Sequence, residues 1–271
     1  MVVREHRSAI FGLNLNQCKT VKLRLTYYPM WKNITLLFFI SFLLFSACTK
    51  SDELVPAPDQ DRGRAYFYAE NNKYREYNVR EILFTAVGLS DTSIYQLREE
   101  VRESFTNNLG EESRVIYRLT RPNSTINWQL DSVWSVRLER DRAVSVENNI
   151  PIVKMVFPVI TERTWDANMY NTKDVDQFKI LNFGLATSLA VNDDLETTRT
   201  LTVIQEDDGD GITFRDFRRE IYADSIGLIS KLYNVVKICS RPECVGLGLI
   251  ESGRFYRETI VANGFLDEDE N

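Results

Sequence analysis

Cys239 and Cys244, five positions apart in Cys-Ser-Arg-Pro-Glu-Cys, are the side chains whose type and spacing most directly suggest covalent chemistry. An even pair bracketing a proline turn suits a hairpin-clamping disulfide in an oxidising compartment; free or redox-active thiols are the alternative, although a redox pair is usually spaced Cys-x-x-Cys. A metal at this pair would need two further soft ligands. Hard-cation chemistry is suggested by Glu206-Asp207-Asp208-Gly209-Asp210-Gly211-Ile212, where carboxylates alternate ahead of a glycine. The bidentate acid of a calcium loop would fall on Phe217, however, and Asp216 lies one place early. A polar turn joining strands over Leu201 to Gln205 and Ile212 to Phe217 is the expectation, because Asp-Gly steps favour such turns, and calcium binding is the alternative.

What else the chain can do is limited by its N-terminus. Met30-Trp31-Lys32-Asn33 opens an apolar run, Ile34 to Phe45, that ends in Ser46-Ala47-Cys48. A basic start, a short apolar core and small residues before the cleavage point are the three parts of a secretory signal, and the core falls short of the roughly 20 residues that span a bilayer. Residues 30–47 read as a signal peptide and residues 1–29 as an upstream extension, with Met30 the favoured initiator. Cys48 then becomes the acylated first residue of the mature chain. Two or three acyl chains would hold it on a membrane, since one gives only marginal binding. The single histidine, His6, leaves with the leader. The mature chain therefore has no imidazole for a Ser-His-Asp or Cys-His system, or for zinc, copper or non-haem iron. With no catalytic motif, no metal site and no cofactor site in view, a non-enzyme is expected; carboxylate-pair, lysine or tyrosine chemistry is what an enzyme would have left.

The first 47 residues carry six of the 33 basic and one of the 39 acidic residues, leaving 27 and 38, a balance of −11. Such a surface keeps a domain soluble and disfavours nucleic acid as a partner. Residues 48–63 are polar and proline-bearing, a tether behind the lipid. Residues 267–271, with Asp267-Glu268-Asp269-Glu270, read as a solvated acidic tail. Between them, residues 64–266 suit one β-rich globular domain.

Stepping through that domain, strand follows strand. Tyr66, Tyr68, Tyr74, Tyr77, Val79 and Ile82 fall in alternating runs broken by Asn71-Asn72, and Val115 to Leu119 is a strand before Arg121-Pro122-Asn123. Trp128 to Leu138 is a long amphipathic strand. A turn over Glu139 to Asp141, a strand over Ala143 to Val146, the Asn148-Asn149 turn and the apolar run Ile152 to Ile160 continue an antiparallel meander. Ser93 to Thr106 has both helical and alternating spacing and is read as a strand because strands flank it. A short helix or turn over Glu220 to Ser225 should lead into a strand from Leu228 to Ile238, and Arg254 to Ala262 should be the closing strand, paired back across Gly246 to Ser252. The expected fold is mainly β: a single antiparallel, curved-sheet or half-barrel domain with one or two short helices.

The residues Leu44 to Cys48 resemble the bacterial lipobox, with Phe45 where that box usually has leucine. Lys50 and Asp52-Glu53, with Ser51 between them, resemble the export signal of surface-exposed Bacteroidetes lipoproteins. Three further stretches resemble an uncharacterised family of Bacteroidetes lipoproteins: Ile152 to Val159 with Trp165-Asp166-Ala167-Asn168; Glu220 to Ile229; and Cys239 to Cys244 with its glycine-rich return. That resemblance implies a curved antiparallel half-barrel and no activity, while the lipobox and export-signal resemblances imply an address in the envelope, at the outer membrane, facing inward or displayed on the surface. Asp131-Ser132-Val133 and Asp224-Ser225-Ile226 resemble O-glycosylation acceptors of such proteins. Among the aromatic residues, Trp165 with Asn168 and Tyr170 lies in a polar loop after a strong strand and is the foremost candidate for an exposed ligand contact. The functional expectation is a lipid-anchored, non-catalytic β domain that binds an apolar or envelope-derived ligand or a partner protein. A structural accessory docking onto an outer-membrane complex is the alternative.

Overall fold

The computed structural model describes residues 62–67, 69–108 and 110–266. Cys48, the leader, the signal, nearly all of the tether and the acidic tail lie outside the described residues. Twelve strands form a single antiparallel sheet: β1 (Lys73–Ala86), β2 (Leu89–Thr106), β3 (Glu112–Arg121), β4 (Gln129–Leu138), β5 (Arg142–Glu147), β6 (Ile150–Val156), β7 (Thr164–Asp166), β8 (Gln177–Val191), β9 (Asp194–Gly209), β10 (Phe214–Ala223), β11 (Gly227–Ile238) and β12 (Ile250–Phe265). Each strand pairs with its neighbours in sequence, except that β6 and β7 form the two edges while β1 pairs with β12.

The sheet curls until those edges meet. Val153 N–H donates to the Ala167 carbonyl at 2.9 Å. The Trp165 indole N–H and the Asn171 side-chain amide donate to the Val153 and Pro151 carbonyls, each at 2.8 Å. A row of edge groups that would otherwise be unpaired is thereby covered. The result is a nearly closed barrel, more complete than the expected half-barrel.

Alternation makes the wall. In β1, Lys73, Arg75, Tyr77 and Val79 are buried and the residues between them are half-buried or exposed, the period of two that turns one face inward. Asn148 and Asn149, then Asn192 and Asp193, take the left-handed φ values that two-residue hairpin turns require, and they join β5 to β6 and β8 to β9. The ladder of β8 on β9 breaks between Leu181 and Leu185. Beyond the break the hairpin reaches β12, where Asn192 bonds Val261 and Asn263.

Several expectations are corrected. Tyr66 lies in a 3-10 turn, Arg64–Tyr66, which is the one helical piece among the described residues. Glu220 to Ala223 is strand, because Glu220 and Tyr222 occupy inward positions of β10, and a tight turn at Asp224-Ser225 replaces the expected helix. The run Ile152 to Ile160 stops pairing at Val156, ahead of Pro158. Glu206 to Gly209 still belong to β9, so the polar turn is confined to 210–213. Finally, β12 starts at Ile250 and pairs with β11 and β1, so Gly246 to Ser252 is not its partner.

Residues 62–67 and Ala69 close one end of the barrel. Arg62 accepts a bond from Val159 N–H, Ala65 accepts one from Ser225 N–H, and the Arg64 guanidinium donates to the Glu139 carbonyl. Gly63 is required here: its φ is 88°, and a Cβ would lie 2.3 Å from Val159 Cγ2. Tyr66 joins an apolar cluster with Val153 and Met155 of β6, Phe157 just after it, Phe178 of β8 and Leu201 of β9.

Candidate functional site

The register of the ladders sets charges side by side inside the barrel. Across β10, β11 and β12, Glu220 faces Lys231 and Lys231 faces Glu258. Across β1, β2 and β3, Arg75 faces Glu99 and Glu99 faces Arg118. Opposite charges directly across a ladder attract. Glu147 of β5 and Lys154 of β6 complete the set, so four acids and four cations line one chamber of about 60 Å³, with Phe67 and Ala69 of the closing segment in its wall. A chamber of that size holds a few waters or one small chemical group.

The ion pairs are close. Lys154 Nζ lies 2.6 Å from Glu220 and 3.3 Å from Glu147, and Lys231 Nζ lies 3.4 Å from Glu220. Glu99 receives Arg75 at 3.3 Å and Arg118 at 3.2 Å. Burial alone would push the Glu220 carboxyl up, but Lys154 and Lys231, with hydrogen bonds from Lys154 and the Tyr222 hydroxyl, hold it down at about 2. Glu258 goes the other way. Burial raises it, the negative charge of Glu99 adds to the rise, and Lys231 and Arg118 offset only part. The Tyr256 hydroxyl donates to Glu258 Oε2 at 2.6 Å. Its other oxygen, Oε1, is buried without a hydrogen-bond partner among the described residues, as is the indole Nε1 of Trp134.

Beyond the chamber the barrel opens into a mouth of about 920 Å³. Arg118, Trp134, Glu147 and Lys231 line both spaces and form the neck between them. Arg118 lies flat on Trp134, 3.8 Å from the ring centre, the cation–π geometry of a fixed guanidinium. At the rim, Arg121 bonds Gln96 at 2.7 Å and Arg254 bonds Glu81 at 2.6 Å, with Arg254 4.9 Å from the Tyr256 ring. The wall is thus charged and hydroxyl-bearing.

The residues singled out in the sequence lie elsewhere. Trp165 is 8% exposed, packs edge-on against Phe178, and uses its indole N–H on the seam, so it is a core residue of β7 and not an exposed contact. Asn168 is spent on its own loop, donating to the Asp174 carbonyl and accepting from Asn171. Tyr170 is exposed and donates to Glu139. These three are brought together at the seam, and none of them lines the chamber or the mouth. Cys239 and Cys244 are bonded to each other, Cα to Cα 5.8 Å, in the β11–β12 connection. In the 210–213 turn the Asp210 carboxylate accepts from the N–H groups of Ile212, Thr213 and Phe214, and among the described residues no group of three or more acidic, histidine or cysteine side chains is arranged to hold a metal. Asp131-Ser132-Val133 lies in β4, and Asp224-Ser225-Ile226 makes the β10–β11 turn with Ser225 exposed.

A signal for the chamber was present in the strands. Tyr256-x-Glu258-x-Ile260 sets a charge on an otherwise apolar alternating stretch. A charge in that position is either paired inside or marks a site.

No family model matches this chain, and no curated protein matches it. Two solved structures overlap part of it. One is described as a putative exported protein with YmcC-like fold from Bacteroides fragilis, 7% identical, with a TM-score of 0.39, covering 73% of this chain and 98% of that one. The other is described as a putative lipoprotein from Parabacteroides distasonis, 7% identical, with a TM-score of 0.37 and the same coverage.

Proposed function

We propose that the protein is a lipid-anchored, non-catalytic component of the cell envelope, held at the outer membrane or on its outer face by acylated Cys48, and that its barrel binds an envelope-derived polar ligand through the open mouth. The observation that carries this reading is the charge-lined chamber behind a wide mouth. Eight ionisable side chains facing one interior space are costly to bury, and a filled apolar core would serve a purely structural barrel better. The mouth has the volume of a small-molecule site. Lys154 is kept protonated and Glu220 ionised, which suits holding a ligand more than nucleophilic or acid chemistry.

The test compares native and denaturing mass spectra of the processed chain purified from an oxidising envelope. A reproducible excess mass in the native spectrum supports binding, and a bare mass that stays bare after exposure to envelope extracts defeats it. Cys48→Ala should move the protein from the membrane to the soluble fraction; retention on the membrane would remove the anchor.

Docking onto an outer-membrane complex is the second reading, and one observation favours it. Exposed apolar side chains sit on hairpin tips at the open end: Leu83 and Leu89 on β1–β2, Ile212 on β9–β10, and Val245 and Leu247 on β11–β12. Crosslinking from these tips in cells would capture a partner under this reading and none under the first.

A further inference from the structure

We infer that the ligand is a small polyhydroxylated anion, an acidic sugar of one or two rings, whose hydroxyls satisfy Trp134 and Glu258 and whose acidic group lies among the cations of the mouth. This rests on the ligand-binding reading above and names its chemical class.

Three observations converge. The first is the pair of buried atoms without partners. An indole N–H can only donate, whereas a carboxyl oxygen can accept or, when protonated, donate. Buried polar atoms are ordinarily satisfied, and each exception calls for an explanation. A hydroxyl both donates and accepts, so a polyol can serve both positions, which neither an alkyl chain nor a simple cation can do. Glu258 is 1% exposed, lies in the chamber wall and has Oε1 without a partner among the described residues.

The second observation is charge. The chain carries −6 overall, yet the mouth is lined by four cations, Arg118, Arg121, Lys231 and Arg254, and two acids, Asp131 and Glu147. Each cation pairs with a carboxylate that lies outside the mouth: Glu99, Glu76, Glu220 and Glu81 respectively. Those pairings fix the direction of the side chains, and each guanidinium keeps further N–H donors in its planar fork for a carboxylate or phosphate. With each of these cations paired, it is the unused N–H donors of the guanidinium forks, and not net charge, that are placed to receive an acidic group.

The third observation is size and surface. About 920 Å³ accommodates one or two sugar rings. Tyr95, Tyr233 and Tyr256 line the mouth together with Thr92, Thr120 and Gln129. Aromatic faces and short hydroxyl or amide side chains are complementary to the apolar faces and hydroxyl edges of a pyranose.

The test is calorimetric titration of the full processed chain with galacturonate, digalacturonate, galactose and inorganic phosphate. Digalacturonate and galacturonate should bind, galactose at least 10-fold more weakly, and phosphate outside their range, with affinity falling as salt rises. Trp134→Phe keeps an aromatic ring and removes the N–H, and Glu258→Gln keeps the shape; each should weaken galacturonate about 10-fold with an unchanged far-UV circular dichroism spectrum. Arg121→Gln, at the rim and away from the buried charges, should narrow the gap between galacturonate and galactose. Equal binding of the two sugars, binding of phosphate alone, or full affinity in both Trp134→Phe and Glu258→Gln would overturn the inference, the last by assigning the two orphan atoms to buried water only. A retained mass in the native spectrum without any response to uronates would overturn the sugar and leave ligand binding standing, whereas an empty spectrum and no response would end both.

Discussion

The interior of this barrel has two unlike sides. Around the seam, β6 to β9 turn Val153, Met155, Trp165, Phe178, Ile180 and Leu201 inward, all buried and in contact with apolar neighbours. Across β1 to β3 and β10 to β12 the same alternation turns Arg75, Glu99, Arg118, Glu220, Lys231 and Glu258 inward, and Glu147 of β5 and Lys154 of β6 join that charged set. One backbone geometry therefore builds both an apolar core and a charged wall. The apolar side contributes free energy in proportion to the area it removes from water, about 25 cal/mol per Å². The charged side returns roughly what its desolvation costs, and its pairs are more costly to break than they are valuable to make.

The contrast can be tested most forcefully on the apolar side. Trp165→Ala removes a large buried ring and the bond that ties β7 to β6, and should lower stability by about 3–5 kcal/mol in urea titrations. An effect below about 1 kcal/mol would mean that the seam is not part of the core. On the charged side, Lys154→Met leaves Glu147 and Glu220 facing each other without their shared cation and should cost about 3 kcal/mol or more. The double variant Lys154→Met with Glu220→Gln should recover much of that loss, a recovery with no counterpart on the apolar side.

Acid and base should act on the charged side in opposite senses. Glu220, held at about 2 against an ordinary value of 4.5, contributes stability that is present above 4.5 and lost as pH falls from there toward 2. Glu258, raised, contributes stability that is present below its unfolded value and lost as pH rises through its folded value. Urea midpoints of Glu258→Gln relative to the parent should therefore move in favour of the variant as pH rises. A constant difference would show that Glu258 is not perturbed by burial and Glu99.

Smaller effects lie outside the contrast. Opening the Cys239–Cys244 bond by a double serine substitution should cost about 2 kcal/mol, the loop-closure entropy of so short a ring, and should leave the chamber's ligand affinity unchanged. Tyr170→Phe loses one exposed hydroxyl bond to Glu139 and should shift stability by no more than about 0.5 kcal/mol. A loss of ligand binding in this variant would return the site to the seam.

Much of the architecture was legible from period and turn chemistry. Asn148-Asn149 marked a hairpin, Trp128 to Leu138 a long strand, and Ser93 to Thr106 was rightly read as strand against its helical spacing. What misled was local polarity. Trp165 sits among Asp166, Asn168 and Asn171, so it looked exposed, yet those polar groups bond one another and the backbone and leave the ring free to turn inward. Glu220 to Ser225 was expected to be a helix or turn, and Lys154, the cation nearest Glu220, stands 66 residues away in sequence. The chamber was illegible for the same reason. Glu220, Lys231 and Glu258 form a row only once three strands are in register, and Arg75, Arg118 and Lys154 join it from strands far along the chain.

The pairing of β1 with β12 bears on the order in which the protein can be made. That ladder runs from Lys73 with Phe265 to Phe84 with Gly253, joining nearly the first and last described residues. A chain delivered N-terminus first cannot shut the barrel until its final strand has arrived, and contacts so distant along the sequence are the slow ones to form. Until then the other ladders close only between neighbours in sequence, and the sheet stays an open ribbon with the β1 edge uncovered. Closure of the barrel is thus deferred to the arrival of one sixteen-residue strand, which covers an edge on each side of it at once.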